Sequence, residues 1–128
     1  MKEEPACILI VDDNELNRDL LARRLEKVGH DVVIAENGRV ALDKLAAFHI
    51  DIILLDIMMP VLNGFELLPV LKNDPKLQII PVIVISAADD TDSIVRSIQL
   101  GAEDYLPKPF NLPLLKARIN ACLSLIHI

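Results

Sequence analysis

The sequence predicts an α/β fold: one five-stranded parallel sheet covered by five helices in a three-layer sandwich. Two observations carry that prediction. Strand and helix signals alternate along the whole chain, five of each, as in repeated βαβ units. The candidate strands are near-continuous apolar runs, the mark of strands buried on both faces.

The first strand is Ala6–Val11, ACILIV, running into Asp12-Asp13-Asn14. Leu16, Leu20, Leu21, Leu25 and Val28 then recur at helical spacing. Asp13 or Asn14 is placed to cap that helix and Gly29 to end it. Asp31–Ala35 is the second strand. Glu36-Asn37-Gly38 turns into a helix that carries Ala41, Leu45 and Phe48 on one face. Asp51–Leu55 is the third strand, an apolar run that stops at Asp56. Gly64–Lys72 is a shorter helix. Pro69 within it removes a backbone donor, so this helix is expected to start late or to kink. Asn73-Asp74-Pro75 ends it. Pro81–Ser86 is the fourth strand, Asp89–Leu100 the fourth helix, and Asp104–Leu106 a short fifth strand. Leu112–Ile126 closes the chain, with Leu115, Ile119, Cys122 and Ile126 at helical spacing.

The 128 residues suit one domain over positions 1–128, with no repeat, low-complexity stretch or linker to divide it. The composition is 52% hydrophobic with only four aromatics, so the core is aliphatic. No apolar run approaches the roughly 20 residues of a membrane helix. The start, MKEEPACILIVDD, has two glutamates and too short an apolar run for a signal peptide. A cytoplasmic protein with no membrane partner is expected. Cys7 and Cys122 then read as two reduced thiols rather than a disulfide. Nineteen acidic against 13 basic residues give a net charge of −6, with no basic stripe. Direct binding of nucleic acid is not expected, because neutralising phosphates takes clustered Lys and Arg.

The polar residues gather at strand ends. In open α/β sheets, ligands bind beyond the C-terminal ends of the strands, where the strand order reverses. Strand one ends in Asp12-Asp13, strand three in Asp56 and strand four in Ser86; strand five is followed at once by Lys108. If strands one and three are neighbours, three carboxylates share one crevice. Two carboxylates about 4 Å apart repel by roughly 4 kcal/mol at an effective dielectric near 20. A divalent cation relieves that repulsion, and an all-oxygen site with few carboxylates suits Mg²⁺. With an ammonium and a hydroxyl beside it, such a site would bind a phosphoryl group. Each residue alone has a plainer reading: helix capping for Asp12, Asp13 and Asn14, a turn for Asp56, an ordinary strand end for Ser86, a surface lysine for Lys108. At four strand ends of one sheet, the joint reading is the stronger.

These residues resemble the receiver domain of two-component response regulators. The resemblance runs from about Ala6 to Leu123 and rests on ILIVDDN (8–14), LLDIMMPVLNG (54–64), VIVISA (82–87) and GAEDYLPKPF (101–110). It implies a flavodoxin-like sheet with strand order 2-1-3-4-5. It implies that Asp56 is the phosphoacceptor, and that Asp13, an Asp56 oxygen and the Met58 backbone carbonyl hold Mg²⁺ (or Mn²⁺), with Asp12 acting through water. Lys108 and Ser86 would contact the phosphoryl group, and Ser86 and Tyr105 would form the switch. The peptide between Lys108 and Pro109 would be cis. The implied phosphodonor is a histidine kinase or histidine phosphotransfer protein. The implied readout is the face made by the fourth helix, fifth strand and fifth helix, through an output domain, a partner or a homodimer. Ser86 stands where many members have threonine and keeps the hydroxyl. Met58 and Ala88 occupy positions thought to tune dephosphorylation, and neither offers a polar group to a water.

Other readings fit less well. An aspartate-nucleophile phosphohydrolase of the haloacid dehalogenase type needs a second Asp two residues on, where this chain has Met58. A flavin or dinucleotide module is disfavoured because no G-x-G-x-x-G follows strand one. A pure dimerisation scaffold would have no use for the intact acidic set. The resemblance implies that the chain catalyses only its own phosphorylation and slow dephosphorylation. The apolar ending SLIHI has two readings: it leads into a longer protein, or Leu125, Ile126 and Ile128 cap the core. Asp104 and Arg118 are placed to pair across a dimer, or to be exposed charges worth about 0–1 kcal/mol.

Overall fold

A computed structural model describes residues 5–59, 61–87, 90–108 and 111–126. The elements run β1 (Cys7–Val11), α1 (Glu15–Val28), β2 (Asp31–Ala35), α2 (Gly38–Ala47), β3 (Ile52–Asp56), α3 (Gly64–Lys72), β4 (Val82–Ala87), α4 (Thr91–Gln99), β5 (Asp104–Lys108) and α5 (Leu112–Ile126). All strand pairs are parallel, in the order β2-β1-β3-β4-β5. The order reverses between β1 and β3, so the crevice beyond their C-terminal ends is where the fold offers a binding site.

Alternation along each strand divides the core into two layers. Ile8, Ile10, Ile52, Leu54, Ile83, Ile85 and Leu106 pack against Leu21 and Leu25 of α1 and Leu115 and Ile119 of α5. Leu9, Val11, Ile53, Leu55, Val82 and Val84 pack against Ala41 and Leu45 of α2 and Leu67, Leu68 and Leu71 of α3. Every residue of β3 is buried. Each fully buried Ile or Leu contributes about 1.5–3 kcal/mol, so Ile52 to Leu55 together outweigh the several kcal/mol of holding the Asp56 carboxylate out of water. Cys7 packs against the second layer and Cys122 lies in the first, so the sheet separates the two free thiols.

Local signals set the helix ends. Asn14 caps α1 by accepting from the Asn17 N–H, and Gly29 ends it at φ 109, a left-handed angle that favours glycine. Asn37 and Asp90 cap α2 and α4 in the same way. α3 starts at Gly64, not late. Its start is fixed by a reciprocal capping box between Asn63 and Glu66, and the helix continues through Pro69.

Several expectations need correction. β3 runs from Ile52 to Asp56, one residue later at each end than Asp51–Leu55, and ends in Asp56 as its place at a strand end requires. β5 extends to Lys108, pairing Ala87 with Lys108. It is an edge strand, which is why Pro107 is tolerated in it. Phe48 is the C-cap of α2, with extended backbone, and is half exposed under the Lys44 ammonium rather than on the buried face. Leu16 and Leu20 also face outward; Leu21 and Leu25 are the α1 residues that reach the core.

Candidate functional site

The crevice is built from the residues that end β1, β3 and β5. Asp12 follows β1 directly, and its N–H donates to the Ala35 carbonyl (3.1 Å), which carries the sheet ladder one residue further. Its side chain is fully buried. Oδ1 accepts from the Asn14 N–H (2.9 Å), an Asx turn that bends the chain into α1. The Asp12 carbonyl accepts from Nη1 of Arg18 (2.8 Å). Oδ2 of Asp12 is buried with no hydrogen-bond partner among the described residues. Asp13, beside it, is exposed.

Asp56 is 3% exposed at the end of β3. Oδ1 accepts from the Met58 N–H (3.2 Å), and Oδ2 lies 3.5 Å from Nζ of Lys108. Asp12, Asp13 and Asp56 each bring a carboxylate oxygen within 4.8 Å of the others. Burial, and then the charge of Asp12, push the Asp56 carboxyl up from 3.8 to about 6; Lys108 and the Met58 N–H pull the other way. One cation therefore does not balance the three carboxylates. The donor set is all oxygen, and the orphaned Oδ2 of Asp12 is a buried acceptor with nothing to accept from. Both features fit a hard divalent ion such as Mg²⁺.

The loop between β3 and α3 closes the crevice with little room. Gly64 donates its N–H to the Ile57 carbonyl (3.0 Å). A Cβ at Gly64 would sit 2.8 Å from Ile57 Cα and 3.1 Å from the Asp56 carbonyl oxygen. Val61 (φ 50) and Leu62 (φ 60) are left-handed without being glycine, a strained conformation for a β-branched residue.

Alternation sorts the remaining residues by face. Asp56 and Lys108 follow the parity of Leu54 and Leu106, toward α1 and α5. Ser86 and Tyr105 follow the opposite parity, toward α2, α3 and α4. Ser86 is buried one residue beyond Ile85, the register partner of Asp56. Tyr105 has the Arg118 guanidinium 5.3 Å from its ring centre. Nη1 of Arg118 is 2.7 Å from Oδ2 of Asp104, so these two charges pair within one chain.

The structure thus brings together Asp12, Asp13, Asp56 and Lys108. It sets Ser86 at the same end of the sheet and Tyr105 further along the edge strand. The Met58 side chain is exposed, and its backbone N–H is what contacts Asp56. Pro109, with the cis peptide expected before it, and Ala88 lie outside the described residues. Sequence reasoning missed Arg18 and Gly64. The run Asn63-Gly64-Phe65-Glu66 carried a capping-box signal that would have fixed the start of α3; nothing in the sequence marked Arg18. A cleft of about 590 Å³ lies at the other end of the sheet, lined by Leu42, Phe48, Ile50, Leu77 and Ile80 among others, away from the acidic residues.

Comparison with known proteins agrees with the fold. The family model of the response regulator receiver domain matches residues 8–120. Response regulator MprA of Mycolicibacterium vanbaalenii is 41% identical over 119 residues, 93% of this chain and 51% of that protein. Transcriptional regulatory protein CpxR of Escherichia coli K12 is 43% identical over 120 residues, 94% of this chain and 50% of that protein. The chain therefore spans about half the length of these curated relatives. The crystallised chemotaxis protein CheY4 of Vibrio cholerae superposes with a TM-score of 0.87 at 28% identity, covering 94% of this chain and 100% of that one.

Proposed function

This chain belongs to the response regulator receiver domain family, and from that premise we propose that it accepts a phosphoryl group on Asp56 from a phosphohistidine. The observation that carries the reading is the Asp12–Asp13–Asp56 cluster with the Lys108 ammonium on Asp56. An Asp56 oxygen attacks phosphorus, the P–N bond to the donor imidazole breaks with its electron pair leaving on nitrogen, and an acyl phosphate results. The raised pKa of Asp56 makes its carboxylate, once ionised, more basic than a solvated aspartate.

Asp13 and Asp56, with Asp12 through water and the Met58 carbonyl, would hold Mg²⁺ or Mn²⁺. The ion supplies positive charge to the oxygens of the transferring group. Lys108 neutralises the same group from the β5 side, and the Ser86 hydroxyl donates a hydrogen bond to it. Ser86 and Tyr105, on the α4 side of the sheet, would pass the change to the face made by α4, β5 and α5. Its readers would be an output domain, a partner or a second copy of the chain. The phosphodonor is a histidine kinase or a histidine phosphotransfer protein, and the setting is cytoplasmic. Among the described residues no helix is long and apolar enough to cross a membrane. The chain acts catalytically only on itself, in phosphorylation and slow dephosphorylation.

The test is incubation with a small-molecule phosphodonor and Mg²⁺, read by intact mass. One added phosphoryl group on the native chain and none on Asp56→Asn is the expected result. Unchanged labelling of that variant would remove Asp56 from the role.

A further inference from the structure

We infer that Arg18 is a positioning residue for the metal-binding carboxylates, acting by clamping the peptide between Asp12 and Asp13; this rests on the receiver reading above and deepens it. Arg18 stands in the second turn of α1 and is half-buried. Helical side chains lean toward the helix N-terminus, so from position 18 the guanidinium lies back over the turn that leads into the helix. There Nη1 donates to the Asp12 carbonyl oxygen at 2.8 Å.

That carbonyl belongs to the peptide unit linking the two aspartates. Its plane sets the direction from which the Asp13 side chain departs. Asp12 is otherwise tied by its N–H to Ala35 and by its Oδ1 to the Asn14 N–H. The Arg18 bond is the contact that restrains the carbonyl side. Asp13 is exposed, and among the described residues no core packing surrounds it to hold its aim. Its placement within 4.8 Å of Asp12 and Asp56 therefore depends on its backbone.

The sign of the effect separates this role from simple charge. Arg18 is a permanent cation one peptide away from the carboxylates. Coulomb's law alone makes it repel a divalent ion, so its removal would tighten metal binding. A clamp gives the opposite sign, because loosened ligands bind less well; loss of such an outer contact typically lowers metal affinity about 10–100-fold.

The experiment is a calorimetric Mg²⁺ titration of the full chain, native and as Arg18→Met and Arg18→Lys. Hydrogen exchange of the Asp13 and Asn14 amides is followed without metal. Arg18→Met is expected to bind Mg²⁺ about tenfold more weakly and to exchange these amides faster. Arg18→Lys, with its charge and a donor retained, is expected to bind more tightly than Arg18→Met. Should the methionine variant melt early, Arg18→Gln replaces it with the same expectation. Equal or tighter Mg²⁺ binding by the neutral variants, beside normal binding by the native chain, would overturn the clamp and leave the receiver reading standing. A native chain that binds no Mg²⁺ at millimolar concentration would overturn both.

Discussion

Lys108 holds its ammonium 3.5 Å from Oδ2 of Asp56, with the lysine side chain one-third exposed and the aspartate side chain almost fully buried. The pair joins two strands that are not neighbours, since β4 lies between β3 and β5. The long lysine side chain bridges that gap from the edge strand. Lys108→Ala removes the main charge that opposes protonation of Asp56, so the Asp56 midpoint is expected to rise above about 6. Phosphoryl uptake from a small donor is expected to fall on the order of 100-fold, the usual scale for losing one group that stabilises transition-state charge. A carboxyl-carbon NMR titration and an initial-rate measurement read the two effects. Uptake within twofold of the native rate would assign the charge compensation elsewhere.

The raised pKa of Asp56 also fixes a direction for stability. A group whose pKa is higher in the folded than in the unfolded chain stabilises the fold at low pH and loses that contribution as pH rises. For Asp56 the loss falls between about pH 4 and pH 6. In metal-free buffer at pH 8, Asp56→Asn is expected to be more stable than the native chain by up to about 3 kcal/mol, at 1.36 kcal/mol per unit. The gain should shrink as pH falls toward 4. Urea unfolding at both pH values checks it, and a variant less stable than native at pH 8 would contradict the direction.

Gly64 is fixed by contact with backbone. Gly64→Ala places its methyl 2.8 Å from Ile57 Cα, where no flexible side chain can give way. A loss of about 1–3 kcal/mol is expected, the scale of overpacking in a tight site. Because the same contact touches the Asp56 carbonyl, Mg²⁺ affinity should fall as well. Denaturant midpoints and a metal titration test the two halves separately.

Val61 offers the opposite case. It is exposed and left-handed, so its side chain contributes little burial while its backbone carries strain. Asparagine tolerates this conformation far better, and Val61→Asn is expected to stabilise the chain by about 1 kcal/mol. A melting temperature that does not rise would show that the loop relaxes in the native protein.

The sheet was legible because burial on both faces leaves a plain trace: CILIV, IILL and VIVIS are apolar without alternation. The acidic cluster was legible because its members end successive strands. The misreadings have separate causes. Helical spacing shows which residues share a face but not how far that face reaches into the core, so Leu16 and Leu20 look like core and are solvent-facing. Pro69 suggests a break, yet the capping box at Asn63 and Glu66 fixes the helix start upstream of it. The Arg18 bond spans a turn and a helix, and its partner is a backbone carbonyl that no residue name announces. Asp104 and Arg118 look available to a partner, yet Nη1 of Arg118 pairs with Oδ2 of Asp104 within the chain.

Tyr105 lies beneath the Arg118 guanidinium on the edge strand, and the chain has one tyrosine and no tryptophan. Excited beyond the absorption of its three phenylalanines, the chain emits from a single ring, and that ring sits on the face proposed to read the phosphorylated state. A cation over the ring and water around it quench to different extents. Turning of the ring can thus be followed in the unlabelled protein, with no introduced dye and no neighbouring fluorophore to subtract.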